Sequence, residues 1–412
     1  MQRRVAAAER FASEPEPTTA AEEWRYSPIA DLDLERFEPT VPDATASGTV
    51  AAAGSGEEIC VPHRSAAVRL VNGSSVGADL AHEAKAAGVR VGRLADLTEG
   101  SELLGGVADS AGDRFTLLND AFALDPLLID VPSGVVLEQP IVVEQQITAA
   151  GSAVFPRLVV RVGSDAQVSV LDVVSSPDGV DVLVCPLVEL DVGPAGRLGY
   201  LHVQQLGDST WQLGSQVARA GRDATITAAT AGLGGGYART RADTRLVGRG
   251  ASGDLLSLYF GERDQILDFR TYQDHDAPDT TSNLLYKGAV GGRSRSIYTG
   301  LIRVGPDARG TNAFQTNRNL KLSDDAWAES VPYLEIENKD VKCSHASTVS
   351  PVDPDQVFYL ESRGVPGDVA ERLIVAGFFD EVLTALPVPA VVPALRRAVA
   401  AKLARQAAAK AA

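Results

Sequence analysis

The chain has 412 residues, 45% of them apolar and 22% charged, so it can bury a core of about two or three structural units and is neither a mini-domain nor a disordered chain. Against 54 acidic side chains stand 38 basic ones, and the net charge of −16 repels phosphate backbones and anionic lipid, which argues against nucleic-acid and membrane-surface binding. Cys60, Cys185 and Cys343 are too few for a disulfide framework or a four-thiolate metal site and read as reduced thiols; with neither a secretory leader nor a spanning apolar run, a cytoplasmic protein is expected.

Residues 1–22 read as a flexible arm, because Ser, Glu, Pro and Thr dominate from 12 to 23 and cannot offset their ordering entropy. Residues 23–134 read as an α/β region. Within it Leu80, Ala84, Ala87 and Val91 fall at helical steps and predict helix between Ser74 and Leu97. Phe115 to Ala123 is followed by the apolar run Leu127-Leu128-Ile129 and a turn at Val131-Pro132-Ser133-Gly134.

From 135 to 352 the chain reads as many short strands, with period-two stretches such as Gln167 to Val173. Similar turns recur: Gly163-Ser-Asp-Ala, Gly193-Pro-Ala-Gly, Gly221-Arg-Asp-Ala, Gly248-Arg-Gly-Ala and Gly305-Pro-Asp-Ala, with first glycines 30, 28, 27 and 57 residues apart. A fixed long period is the mark of stacked units, so the expected class is mainly β, a parallel β-helix (solenoid) core between an N-terminal α/β region and C-terminal helices. An antiparallel sandwich is the alternative. Residues 353–412 read as helical. Val369, Leu373, Ala376, Phe379 and Leu383 form one apolar face, widened by Ile374 and Phe378, that packs on its own domain or on a partner. Beyond Pro389, Arg396, Arg397, Lys402, Arg405 and Lys410 occur without an acid, either a solvated helix end or a tail for an acidic surface.

The soft-ligand cluster is Val341-Lys342-Cys343-Ser344-His345, where the i, i+2 spacing of a strand puts thiol and imidazole on one face. Spacing alone favours a buried cysteine beside a hydrogen-bonded histidine, and a closed zinc or iron–sulfur site needs about four ligands, so any such site must borrow some from elsewhere. Asp274, Asp276 and Asp279 form a second cluster, read mainly as turn aspartates and alternatively as the acid and base of a carbohydrate-active β-helix enzyme. Gly232-Leu-Gly-Gly-Gly236 lacks the context of a nucleotide loop and marks a corner of close strand packing beside Tyr237. His63, His82 and His202 read as structural.

The run from Asn319 to His345 that ends Lys-Asp-Val-Lys-Cys-Ser-His, with Phe358-Tyr-Leu-Glu-Ser-Arg-Gly364, resembles the SufB/SufD family of iron–sulfur cluster assembly proteins. Glu23-Trp-Arg-Tyr-Ser-Pro28, Leu118-Asn-Asp-Ala-Phe122 and Tyr286-Lys-Gly288 are similar to its SufD branch. The resemblance implies a non-catalytic scaffold that pairs with a SufB-like paralogue. His345, with Cys343 close by, would help hold a transient iron–sulfur cluster shared with that partner. A SufC-like ABC ATPase would dock on the C-terminal helices around Arg363, Gly364, Pro366, Val369, Leu373, Phe378 and Phe379, and the assembled complex could also bind a reduced flavin. One departure is that Ala346-Ser347-Thr348 follows the histidine where the family has Gly-Ala-Thr, so a differently shaped loop is expected there. A purely structural adaptor is the remaining alternative.

Overall fold

The structure, a computed structural model, describes residues 2–41, 58–96, 103–108 and 113–411. The β-branched and aromatic runs form strands because their side chains fit a pleated, buried surface. Successive strands alternate between two sheets, one ending on Trp327–Ile336 and the other on Val341–Pro351. The result is a parallel β-solenoid of about eight turns. Leu198 pairs with Ile226 and Thr225 with Ser252, partners 28 and 27 residues apart, so one coil has the length of the glycine spacing. The sandwich is excluded: among the described residues, antiparallel pairing joins only Ala66–Val71 to Ser74–Leu80 and Arg90–Arg93 to Leu127–Val131.

The recurrent turns stack as one corner of the coil. Asp165, Ala195, Asp223 and Gly250 are left-handed, with φ of 56, 55, 56 and 75°. Their N–H groups donate one coil onward, to the carbonyls of Pro194, Arg222, Arg249 and Pro278, at 3.0, 2.8, 2.9 and 3.1 Å. Asp tolerates this backbone because its short polar side chain bonds locally, whereas Ala has no such compensation. Ala195→Gly is therefore expected to raise stability by about 0.5 kcal/mol, read as a higher denaturant midpoint at unchanged slope. A lower midpoint would mean that the added chain entropy of glycine outweighs the relieved strain. At another corner, a Cβ on Gly234 would lie 2.1 Å from the Leu206 carbonyl oxygen, the close packing expected beside Tyr237.

The N-terminal region differs from expectation in three places. Gln2–Ser13, placed in the flexible arm, form helix α1; Arg4 Nε donates to the Ala121 carbonyl at 2.7 Å and Arg3 pairs with Asp120, partners that the composition of 12–23 does not reveal. Between Ser74 and Asp96 the one α-helix is the short α2 (His82–Ala86), ended by Gly88 at φ 81° and flanked by the strands Ser74–Leu80 and Arg90–Arg93; Leu97 lies outside the described residues. The sheets also begin before residue 135, since Ala66–Val71 pairs parallel with Ile141–Gln146 and Leu127–Val131 with Arg157–Val162. Helix α3 (Arg114–Phe122) starts at Asp113, whose carboxylate accepts the Phe115 N–H at 3.0 Å.

Three helices follow the solenoid: α4 (Pro354–Glu361), α5 (Gly367–Leu383) and α6 (Val392–Ala411). α5 and α6 cover the outside of the sheet that ends on Val341–Pro351, where Val375, Phe379, Val382, Leu395 and Leu403 pack with Leu201, Leu258, Phe260 and Ala289. The buried face of α5 is thus Ala370, Val375, Phe379, Val382 and Leu383, while Leu373 and Ala376 are exposed, a rotation from the expected stripe. The basic tail is not simply a solvated end: Lys402 and Arg405 both pair with Glu262 of the solenoid. No helix among the described residues is long and apolar enough to cross a membrane.

Candidate functional site

The solenoid interior changes character along its length. Near its start Val68, Ile129, Val160 and Leu190 fill it; further on come Tyr259, Phe269, Tyr286 and Tyr298. Tyr298 and Thr271 share a hydrogen bond of 3.0 Å, Asn317 donates to Tyr259 Oη at 3.0 Å, and His275 is bonded to Thr280 and Ser282 at 2.7 and 2.9 Å. Burial lowers the His275 imidazole to about 4, so it is neutral at physiological pH. His202 lies beside the buried Asp172, whose carboxylate also accepts from Tyr200 and Gln145, the structural role expected of it. Gln273 and Gln315 are 1% and 2% exposed, and neither amide has a partner among the described residues.

The last coil has no coil beyond it. Among the described residues, Trp327–Ile336 and Val341–Pro351 each have one strand neighbour in their sheets, leaving a row of free backbone groups. In the second strand Cys343 pairs with Ala313 and His345 with Gln315. Cys343 packs against Ile302, Val304, Ala308 and Ala313, so it faces the interior; His345, two residues on, shares that side, and its ring is exposed at the mouth. Gln315, with its unpartnered amide, is one rung inward of His345. Burial raises the Cys343 thiol above its ordinary value, and the Ala313 backbone amide offsets this only in part. Ala346 pairs with Thr316 in the same strand, so the departure from Gly-Ala-Thr falls in extended backbone and the expected change of loop shape does not arise. Among the described residues no three His, Cys, Asp or Glu side chains group as a metal site.

The aspartate cluster is committed to ion pairs. Asp274 and Asp276 bind Arg303 at 3.0 and 2.8 Å, and Asp279 binds Arg249 at 2.8 Å. No free acid and base face each other there. These bonds also replace the expected backbone-bonded turn aspartates, because each arginine lies one coil away.

The candidate partner-binding residues divide. Gly364 at φ 86° ends α4, with its N–H donating to the Glu361 carbonyl, and Pro366 precedes α5. Arg363 lies 5.1 Å over the Tyr359 ring. Phe358 and Tyr359 of α4 and Leu373 of α5 are 71, 57 and 53% exposed, large apolar side chains left open to solvent. Val369 is half-buried, as is Phe378, whose carbonyl accepts from Lys287 Nζ at 2.9 Å. Phe379 is withdrawn from any partner: it is fully buried, its ring 6.4 Å from that of Phe260. Sequence reasoning missed Tyr359 and Lys287, both within the quoted motifs, and Gln315, for which no motif existed.

A β-solenoid whose last coil is uncovered belongs to the stacked architectures that need a cap or a continuation. Residues 145–378 match the family model described as SUF system FeS cluster assembly, SufBD core domain, and residues 1–143 match the SufBD protein N-terminal region. The chain belongs to the SufBD family. It is 42% identical over 212 residues to an iron–sulfur cluster assembly SufBD family protein of Mycobacterium tuberculosis, covering 50% of this chain and 53% of that one. The counterpart in Mycobacterium leprae is 39% identical over 212 residues, covering 50% of this chain and 54% of its own. One in Staphylococcus epidermidis is 26% identical over 287 residues, 69% of this chain and 62% of its own. The chain thus spans about half the length of the mycobacterial relatives it matches.

Proposed function

We propose that this chain is a non-catalytic, cytoplasmic scaffold subunit of a SUF iron–sulfur cluster assembly complex, of the SufD type. Its open end joins the open end of a SufB-like paralogue, and the cluster is a cargo built between the two. The observation that carries this reading is that Cys343 and His345 share one side of the free edge strand at the mouth of the solenoid. Two soft ligands on an edge that can add a neighbouring strand make half a site, which a second chain completes. The exposed side chains of Phe358, Tyr359 and Leu373 dock a SufC-like ABC ATPase. Reduced flavin, where it takes part, belongs to the assembled complex.

The test is anaerobic copurification of the complex. His345→Ala should lose cluster loading while the subunits stay together, and full loading would sink the reading. In a Cys60→Ser background, Cys343 should react with a thiol reagent in the free chain and be protected in the complex. Equal labelling of both would instead favour an inert structural adaptor.

A further inference from the structure

Two of the runs that carry the family resemblance, Glu23 to Pro28 and Asn319 to His345, meet in a place that the proposed function does not use. Arg25, Tyr26 and Ser27 of the first and Asp325 and Trp327 of the second line a cleft of about 480 Å³, closed by Arg295 of the strand Arg295–Val304. That volume is within the range of small-molecule sites. The Tyr26 and Trp327 rings lie 5.4 Å apart and inclined at 54°, and both are only partly covered.

The charges set this cleft apart. In a chain of net charge −16 the neighbouring arginines have acidic partners: Arg293 has Asp264, Arg303 has Asp274 and Arg270 has Asp268. Among the described residues the guanidinium groups of Arg25 and Arg295 make neither a hydrogen bond nor an ion pair, and both residues border the same cleft. Guanidinium groups bind phosphate through parallel N–H donors, and an indole face accepts a planar ring. Asp325 would repel an anion placed beside it, yet its carboxylate is an acceptor for an amino group on that ring.

We propose that this cleft binds a small amino-bearing aromatic phosphate, of which a nucleoside monophosphate is the simplest example. Its phosphate lies between Arg25 and Arg295, its ring stacks on Trp327 and Tyr26, and its amino group donates to Asp325. The site is independent of Cys343 and His345, so it stands or falls apart from the scaffold reading.

Calorimetric titration of the full chain with adenosine monophosphate tests the proposal, with adenosine and inorganic phosphate as separate probes. The monophosphate should bind more tightly than either fragment. The double variant Arg25→Ala with Arg295→Ala should weaken it about tenfold or more, and Trp327→Leu should weaken it as well. All three positions are at the surface or half-buried, and circular dichroism confirms that the variants are folded. Absence of binding at millimolar concentration, affinity unchanged in the double variant, or inorganic phosphate binding as tightly as the nucleotide would each overturn it.

Discussion

Arg157→Met is expected to destabilise the protein by about 3–5 kcal/mol, because it strands a buried carboxylate. Arg157 is 3% exposed and Glu189 fully buried. The guanidinium reaches Glu189 through Nε at 3.1 Å and Asp120 through Nη1 at 2.6 Å, while Glu189 also accepts the N–H groups of Gly105, Val107 and Ala108 at 2.9, 3.1 and 3.1 Å. Burial pushes the Glu189 carboxyl up, but Arg157 and the Gly105 and Ala108 amides outweigh it and hold the carboxyl below its ordinary value. A depressed carboxylate adds stability above its unfolded pKa of about 4.3 and loses it as pH falls through the lower folded value. The gap between wild type and variant, measured by denaturant titration, should therefore be full at neutral pH and shrink in acid as the stranded carboxyl of the variant takes up a proton before that of the wild type. Adding Glu189→Gln to the variant should recover part of the loss. A variant within about 1 kcal/mol of wild type would show that Glu189 finds other partners.

Phe379→Ala should cost about 3–5 kcal/mol, whereas Leu373→Ala, six residues earlier on the same helix, should stay within about 0.5 kcal/mol. Phe379 is fully buried and faces Phe260, so its removal opens a cavity between α5 and the solenoid; Leu373 is 53% exposed. The pair separates folding from docking. If α5 meets an ATPase as proposed, Leu373→Ala should weaken that association in a pull-down while leaving the denaturant midpoint in place. Equal losses of stability in both variants would contradict the division of the helix into inner and outer faces.

The solenoid was legible because its corner turns repeat in sequence at the length of a coil. Asp165, Ala195 and Asp223 occupy equivalent left-handed positions, so the same backbone turn recurs at this corner of each coil. The shared side of Cys343 and His345 was equally legible, since a strand alternates with period two. The face of α5 was not: Val369, Leu373 and Ala376 compete with Ala370, Ile374 and Val375, and the choice is made by Phe260 and Leu258, far away in sequence. A signal for the ion pairs was present but unused. Arg219 binds Asp191, Arg293 binds Asp264 and Arg249 binds Asp279, opposite charges 28, 29 and 30 residues apart, one coil in each case. Arg25 and Trp327 could be brought together only by the fold, because about 300 residues separate them.

The stacked corner makes the protein's length a quantity that changes in steps. Each left-handed amide takes its acceptor from the adjoining coil, so trimming a few residues from Thr225–Gly232 would put that strand out of alignment with both of its neighbours, Arg197–Gln205 and Ser252–Gly261. Excising a whole coil, from Gly221 through Val247, would bring Gly248 to the place that Gly221 held and join like corner to like. Such a rod would be shorter by about 4.8 Å, the distance between paired strands, with its far mouth unaltered. Evolution or design can therefore move the two ends of this molecule closer or farther only by the thickness of one coil.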